Sequence, residues 1–315
     1  MTDPVVSADW LADHRGDVRV VDVRDAWEYD GLGHVPGAVN VPFDRFRADE
    51  HAAAATAEDA AAAEDADASV SDASVSDAAA ADAAAADAAA ADAAAADAGD
   101  EEPAGAEGQG MLPPAEEFAA LMGEAGITRA DDVVAYDDHH GVFAARLLVT
   151  LELFGHPGER LHLLDGDFSA WQLAHETTSE APAVPEAIYE IGEPTDSPLV
   201  GADEIAAAVD DPAVVIVDTR EAWEFEEGHI PGAVRLDWRE LVDDETRGLL
   251  ARDELEAILA DRGIVPEKRI LLYCNTARRI SHTYTVLRHL DYPDLGFYEG
   301  SLTEWEAAGQ PVETA

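Results

Sequence analysis

The sequence predicts an α/β protein of two similar domains, each a parallel β-sheet flanked by helices on both faces. An internal repeat is the first observation: an apolar strand, an Asp-x-Arg motif and a Gly-His-x-Pro-Gly turn occur at residues 18–39 and return at residues 214–234. The second observation is the alternation of strand-like apolar runs with segments of helical periodicity along the second half. This alternation is typical of parallel sheets with helices on both sides.

The first copy begins with a strand at 18–23, and its Gly-His-Val-Pro-Gly turn should deliver the next strand. We expect Asp22 and Arg24 to tie the end of the first strand to the following loop, as Asp218 and Arg220 would in the second copy. Farther along we predict a helix at 114–126, a strand at 132–136 and, after a loop, a helix that ends at residue 154.

A segment at 48–110 has no counterpart in the second copy. It contains 17 acidic residues, no lysine or arginine, and no Phe, Trp, Tyr, Leu or Ile. Without large apolar side chains the segment cannot bury a core, so we predict a disordered, solvated insertion. A dispensable surface loop is the favoured interpretation, and a partner-binding segment is the alternative.

The second copy alternates strands and helices more clearly than the first. Strands are predicted at 214–218, 269–273 and 295–298, and helical segments at 222–226, 253–261, 279–290 and 302–308. Four prolines with Ser, Thr and Glu between the copies indicate a linker. We therefore predict an N-terminal domain at 1–178, a linker at 179–199 and a C-terminal domain at 200–315.

Cys274 is the single cysteine of the chain, and it lies where the strand at 269–273 ends and a helix begins. Free backbone N–H groups at a helix start favour an anion, and Arg278 and Arg279 add positive charge, so the position favours a thiolate nucleophile. The alternative is a small buried apolar side chain. Two adjacent arginines have no purpose beside such a residue, which makes the nucleophile the better interpretation.

The charge balance excludes several classes of partner. With 68 acidic and 19 basic residues the net charge is −49, and Lys268 is the single lysine. Such a surface repels nucleic acid and anionic membranes. At about 1 M salt the screening length falls to about 3 Å, so we predict a protein adapted to a saline cytoplasm like that of haloarchaea.

The composition also bears on location and cofactors. No leading signal-like stretch or membrane-length apolar run is present, so we expect a cytoplasmic protein. A single cysteine excludes a multi-cysteine metal site, and His139 and His140 are better explained as a polar loop than as a metal site. We expect no metal and no cofactor.

Together these motifs resemble the tandem-domain rhodaneses, the thiosulfate/3-mercaptopyruvate sulfurtransferase family. In the second half the matching pieces are Val-Asp-Thr-Arg at 217–220, Gly-His-Ile-Pro-Gly-Ala at 228–233, Tyr-Cys at 273–274, Ser-His-Thr at 281–283 and Tyr-Glu-Gly-Ser at 298–301 with Trp305. They cover nearly all of that half in the family's order. The resemblance implies two rhodanese-like domains, of which the C-terminal one is catalytic.

The resemblance also implies roles for residues of the loop that follows the second-half strand. Cys274 would carry the transferred sulfur as a persulfide, and the substrate would be bound by Asn275, Thr276, Ala277, Arg278 and Arg279. The first domain would be inactive, because Asp137 matches Cys274 and Val142 is expected where Arg279 stands.

The expected activity is sulfur transfer from a small anionic donor, thiosulfate, to a thiol acceptor or to cyanide in vitro. Transfer from 3-mercaptopyruvate, and a persulfide carrier that serves tRNA thiolation or cofactor synthesis through an acceptor protein, are the alternatives. A non-catalytic binding module is disfavoured by Cys274, and a phosphatase by the short Cys-x4-Arg spacing. Two departures from the family, Ala277-Arg278 in the loop and Glu224 in place of an arginine, affect the choice of donor. For Trp223, which has a twin at Trp27, we expect core packing.

Overall fold

A computed structural model describes residues 3–47, 112–194, 196–275 and 277–314 of the chain. The predicted insertion at 48–110 and the candidate site residue Thr276 lie outside these described residues. Two parallel sheets are present, and we call the parts around them the N-terminal lobe and the C-terminal lobe. The two lobes belong to one compact unit.

The N-terminal lobe contains a five-stranded parallel sheet with the strand order β1-β5-β4-β2-β3. Its strands are β1 (Val5–Val6), β2 (Arg19–Asp22), β3 (Val39–Asn40), β4 (Val133–Tyr136) and β5 (Leu161–Leu164). Its helices are α1 (Ala8–His14), α2 (Ala26–Gly31), α3 (Ala115–Glu124), α4 (Val142–Leu153) and α5 (Asp167–Ala174), with short 3-10 turns at Phe43–Arg45 and Gly158–Arg160.

The C-terminal lobe contains a four-stranded parallel sheet with the order β7-β6-β8-β9. Its strands are β6 (Val214–Asp218), β7 (Val234–Arg235), β8 (Arg269–Tyr273) and β9 (Leu295–Phe297). Its helices are α6 (Ala202–Ala208), α7 (Ala222–Glu227), α8 (Arg252–Asp261), α9 (Arg278–His289) and α10 (Ser301–Ala307), with a 3-10 turn at Trp238–Leu241. The predicted strands β6 and β8 are confirmed with their bounds.

Both sheets carry an apolar core on each face, as the fold class requires. Strand β8 shows the reason, because successive side chains of a strand point to opposite faces. Leu272 packs in one cluster with Ile280 of helix α9, whereas Leu271 packs in the other with Trp305 of helix α10. A strand that is apolar on both sides therefore holds helices on both sides.

The Asp-x-Arg pairs do what the sequence predicts. Arg24 Nη2 donates to Asp22 Oδ2 at 2.6 Å and to the Gly33 carbonyl at 2.8 Å. In the second lobe the Arg220 guanidinium donates to Asp218 Oδ2 at 2.7 Å and to the carbonyl of Gly228 at 2.6 Å. Each buried arginine thus joins the end of a central strand to the turn that leads into the next strand.

The predicted core packing of Trp223 is wrong, and its twin Trp27 is exposed as well. The exposed fractions of Trp27 and Trp223 are 65% and 56%, and each lies in the first turn of a short helix. The indole N–H of Trp223 donates to the Glu221 carboxylate at 3.0 Å, and that of Trp27 donates to Asp25 at 3.3 Å. The repeat therefore preserves a surface contact here rather than a core contact.

The described residues of 175–201, which connect the two lobes, form no helix or regular strand, yet they pack on the N-terminal lobe. Tyr189 is buried in the core cluster of that lobe, and its hydroxyl lies 3.3 Å from His156 Nδ1. The amide of Ala187 donates to the carbonyl of Gly123 at 2.9 Å. The linker bounds at 179–199 and the two domain bounds stay predictions.

Helices α4 and α9, which each follow a central strand, pack against each other between the lobes. Val149 and Leu153 of α4 belong to the apolar core of the C-terminal lobe. The Arg146 guanidinium makes two hydrogen bonds to the Glu299 carboxylate across this interface, at 2.7 and 2.9 Å, and both side chains are buried. An ion pair therefore lies inside the contact between the lobes.

We expect the Glu299→Gln variant to lower the free energy of unfolding by about 3 kcal/mol, because it removes a buried negative charge that pairs with the buried Arg146 guanidinium. Urea unfolding in molar KCl measures this change. The matched control is Glu124→Gln, which neutralises the pair of Arg45 and Glu124 on the surface, where both side chains are more than half exposed. That variant should cost less than about 1 kcal/mol. Equal losses for the two variants would contradict a structural role for the buried pair.

Candidate active site

Cys274 lies at the carboxyl end of β8 and is fully buried. Four residues, 274–277, separate this strand from helix α9, and Ala277 makes the turn possible by adopting a left-handed conformation with φ of 60°. Helix α9 begins at Arg278, one residue earlier than predicted. We call residues 274–279 the Cys274 loop.

The first turn of helix α10 anchors the Cys274 loop. The amide of Cys274 donates to Ser301 Oγ at 3.2 Å, and the Cys274 carbonyl accepts from the amide of Leu302 at 3.0 Å. Ser301 is fully buried and has a left-handed φ of 50°. Its position in the Tyr-Glu-Gly-Ser motif was visible in the sequence, but its contact with the amide of Cys274 was not.

The two arginines of the loop have different surroundings. Arg279 forms an ion pair with the carboxylate of Glu224, through its Nη1 and Glu224 Oε2. The Arg278 guanidinium lies 5.8 Å from the ring centre of Phe43 and 5.6 Å from that of Phe143. Cation–π contacts at this distance are favourable, and both rings belong to the N-terminal lobe. The N-terminal lobe therefore contributes side chains beside the Cys274 loop.

Glu224 also reaches the other end of the loop. Its Oε1 accepts from Asn275 Nδ2 at 2.9 Å, and the Asn275 Oδ1 lies 3.5 Å from Arg220 Nη1. A row of polar contacts thus runs from Asp218 at the end of β6 through Arg220, Asn275 and Glu224 to Arg279. In the sequence Glu224 stands out only as a departure from the family pattern, and no sequence signal indicates these contacts.

Five of the six predicted site residues lie together in this turn: Cys274, Asn275, Ala277, Arg278 and Arg279. Thr276 lies outside the described residues. The roles of all six in catalysis or substrate binding stay predictions.

In the equivalent loop of the N-terminal lobe, the side chain of Asp137 accepts hydrogen bonds from the backbone of the loop and of helix α4. Asp137 Oδ1 accepts from the amides of His139 and Gly141, each at 2.8 Å. Its Oδ2 accepts from Phe143 at 2.8 Å and from Ala144 at 3.0 Å. A carboxylate at the position of Cys274 is therefore held by four backbone N–H groups at the start of helix α4.

The two loops differ in length, which corrects one prediction. Helices α4 and α9 both follow a residue with left-handed φ, Gly141 at 86° and Ala277 at 60°. Between the strand and this residue the N-terminal loop has one residue more. Consequently Phe143, not Val142 as expected from the sequence, lies at the helix position of Arg279. An ungapped comparison of the two copies could not reveal the extra residue.

Two titratable groups beside the N-terminal loop have shifted pKa values. The pKa of Asp167 is raised to about 7, chiefly by burial and then by the neighbouring Asp137 carboxylate, while the Arg247 guanidinium opposes the rise. Burial lowers the pKa of His282 to about 4, which the Asp137 carboxylate opposes. The backbone of His140 approaches the His282 ring, but neither ring nitrogen forms a hydrogen bond of normal geometry. His282 is thus neutral at pH 7.

Residues 7–101 and 201–308 match the family model of the rhodanese-like domain. The chain belongs to the rhodanese-like family. Two bacterial relatives are named thiosulfate sulfurtransferase. That of Azotobacter vinelandii is 31% identical over 209 residues, which cover 62% of this chain and 74% of that protein. That of Corynebacterium glutamicum is 34% identical over 224 residues, with 63% and 71% covered.

Solved structures show the same rhodanese-like fold. SseA from Escherichia coli, a protein of the 3-mercaptopyruvate sulfotransferases, aligns with a TM-score of 0.68 at 25% identity over 95% of this chain and 99% of that chain. Wild-type EanB aligns with a TM-score of 0.70 at 18% identity over 99% of this chain and 69% of that chain, a likeness of fold alone. The two-domain rhodanese architecture expected from the sequence is confirmed.

Within the described residues, 3–47, 112–194, 196–275 and 277–314, every helix is too short or too polar to cross a lipid bilayer. In the same parts of the chain, no group of three or more His, Cys, Asp or Glu side chains is arranged to hold a metal ion.

Proposed function

We propose that the chain is a sulfurtransferase that moves the outer sulfur of thiosulfate to a thiophilic acceptor through a persulfide on Cys274. The observation that carries the proposal is the position of Cys274 at the carboxyl end of a central parallel strand, on a loop that ends in Arg279. Ligands of open parallel sheets bind beyond this end of the strands. The names of the relatives at 31% and 34% identity support the choice of donor.

In the first step the Cys274 thiolate attacks the outer sulfur of thiosulfate. A new sulfur–sulfur bond forms on Cys274, the bond between the two sulfurs of thiosulfate breaks, and its electron pair leaves with sulfite. In the second step an acceptor such as cyanide or a cellular thiol attacks the terminal sulfur of the persulfide, which restores the thiolate. Each step is a nucleophilic displacement at sulfur, so no external oxidant is required.

The persulfide anion needs hydrogen-bond donors, and the N-terminal lobe provides an internal precedent. There, four backbone N–H groups of the loop and the first turn of α4 hold the carboxylate of Asp137. We assign the equivalent role to the backbone of the Cys274 loop, from Asn275 through Thr276 and Ala277 to Arg279. Preorganised donors of this kind stabilise charge that develops during a reaction. Arg278 and Arg279 would attract the anionic donor.

Transfer from 3-mercaptopyruvate, with pyruvate as the product, is the second candidate. Two observations favour it: the likeness to SseA over 95% of this chain, and the carboxylate of Glu224 against Arg279, which opposes a doubly charged donor. A persulfide carrier with an acceptor protein would use the same chemistry on Cys274. A phosphatase is disfavoured because the Cys274 loop is short, and a non-catalytic module is disfavoured by the presence of Cys274.

The composition supports a setting for this activity. With a net charge of −49 and one lysine, the chain fits a highly saline cytoplasm in which its self-repulsion is screened. We place the protein there, with small anionic donors and thiol acceptors as its partners rather than nucleic acid or membranes.

Intact mass after incubation with each donor in molar KCl tests the proposal. Thiosulfate should add one sulfur to the chain, and cyanide should remove it. A greater gain in mass with 3-mercaptopyruvate than with thiosulfate would identify 3-mercaptopyruvate as the preferred donor. A Cys274→Ser control should gain nothing. If neither donor adds mass to the wild-type chain, a small-molecule sulfurtransferase is excluded.

A further inference from the structure

Glu224 contacts both ends of the Cys274 loop. Its Oε1 accepts from Asn275 Nδ2 at 2.9 Å, directly after Cys274, and its Oε2 pairs with Arg279 at the end of the loop. The Glu224 side chain is 6% exposed and that of Arg279 is 20% exposed. Because the pair is largely shielded from water, salt screens its attraction less than it screens a surface pair.

Comparison of Glu224 with its twin Glu28 in the internal repeat distinguishes the contact with the Cys274 loop from the capping of a helix. Glu224 accepts from the amide of Glu221 at 3.0 Å and completes a capping box at the start of helix α7. Its twin Glu28 accepts from the amide of Asp25 at 3.1 Å and completes the same capping box at the start of α2. In the N-terminal lobe, however, the position of Arg279 is taken by Phe143. The contact with an arginine is therefore an addition to the cap rather than a requirement of it.

We infer that Glu224 is a positioning and specificity-determining residue, whose carboxylate competes with the anionic donor for the Arg279 guanidinium. This inference rests on the proposed sulfur transfer. Before a donor enters, Glu224 holds Asn275, which directly follows Cys274, and Arg279 at the end of the loop. When a donor enters, its anionic group and the Glu224 carboxylate both contact the guanidinium of Arg279.

The competition has a charge-dependent consequence. Thiosulfate and the sulfite dianion that it releases carry two negative charges, whereas 3-mercaptopyruvate carries one on its carboxylate near neutral pH. The Coulomb energy between Glu224 and a bound ligand is proportional to the charge of the ligand. The factor by which Glu224 weakens binding of a dianion is therefore the square of the factor for a monoanion. Glu224 thus weakens the capture of thiosulfate, and by the same factor it assists the departure of sulfite.

Steady-state kinetics of the full chain with both donors, in molar KCl, test the inference through Glu224→Gln. We expect the KM for thiosulfate to fall about tenfold and that for 3-mercaptopyruvate about threefold. Sulfite should become an inhibitor about tenfold stronger. Loss of a merely structural contact would raise KM or lower kcat for both donors, so the sign of the change distinguishes the two roles.

The matched control is Glu28→Gln, which removes the same capping carboxylate in the lobe where Phe143 takes the position of Arg279. This variant should keep the wild-type KM for both donors and the wild-type sulfite inhibition. Glu224→Asp retains the charge and should stay closer to wild type than Glu224→Gln in its ratio of the two KM values.

Two outcomes would overturn the inference while leaving the proposed function intact. One is an unchanged ratio of the two KM values in Glu224→Gln, in a protein that melts at the wild-type temperature. The other is an equal change in Glu28→Gln. Failure of the wild-type chain to take up sulfur from either donor would instead reject the proposed function, so the two failures are distinguishable.

Discussion

Replacement of Cys274 by serine is expected to lower the rate of sulfur transfer by about 10⁴-fold or more. A serine hydroxyl is not ionised near neutral pH, and it cannot hold the transferred sulfur as a persulfide. Because Cys274 is the single cysteine of the chain, no second thiol can substitute for it. Thiocyanate formation from thiosulfate and cyanide measures the loss.

Its control must show that the buried site still folds. The Cys274 amide and carbonyl bond to Ser301 and Leu302 through the backbone, and serine preserves these contacts. We therefore expect the Cys274→Ser variant to unfold at nearly the wild-type urea concentration. Residual turnover above a few per cent of wild type in this folded variant would show that the sulfur is carried elsewhere.

Replacement of Asp137 by alanine is expected to have the largest effect on stability, a loss of about 5 kcal/mol in the free energy of unfolding. The carboxylate accepts four backbone N–H groups, and its side chain is buried. Alanine leaves these donors without their acceptor in a place that water cannot freely reach. Urea unfolding in molar KCl measures the loss.

A surface aspartate with similar backbone contacts provides the comparison. Asp243 Oδ1 accepts from the amides of Glu245 at 2.8 Å and Thr246 at 2.9 Å, but these groups are exposed to solvent. In Asp243→Ala water can replace the lost acceptor, so the destabilisation should be much smaller. A similar loss in the free energy of unfolding for both variants would mean that burial of the Asp137 loop does not add to the stabilising effect of its hydrogen bonds.

The sequence predicts the fold well because the signals for it are local. Strand β8 is apolar on both sides, and helix α9 repeats its apolar side chains at helical spacing, so both were predicted to within one residue. The short strands β1 and β3 have two residues each and carry too little pattern to be recognised alone. The prediction for Trp223 was wrong because a tryptophan that recurs in both copies suggests core packing, whereas this side chain lies on a helix at the surface.

The candidate site was predictable only in part. Cys274 and the two arginines lie within six residues of the chain, 274–279, and a strand followed by a helix is enough to place them at the edge of a sheet. The contacts of Ser301 and Glu224 with this loop join residues far apart in sequence. The length difference between the two loops became visible only through the left-handed residues that precede the helices.

By itself the sequence determined the repeat, the α/β class, the acidic surface and the position of Cys274 at a strand end. These features follow from composition and from short-range periodicity. The tertiary structure decided that Glu224 faces Arg279, that Phe43 and Phe143 of the other lobe flank Arg278, and that four backbone N–H groups bind the side chain of Asp137. Such contacts depend on how separate elements pack, and residue spacing along the chain does not encode the direction in which a side chain finally points.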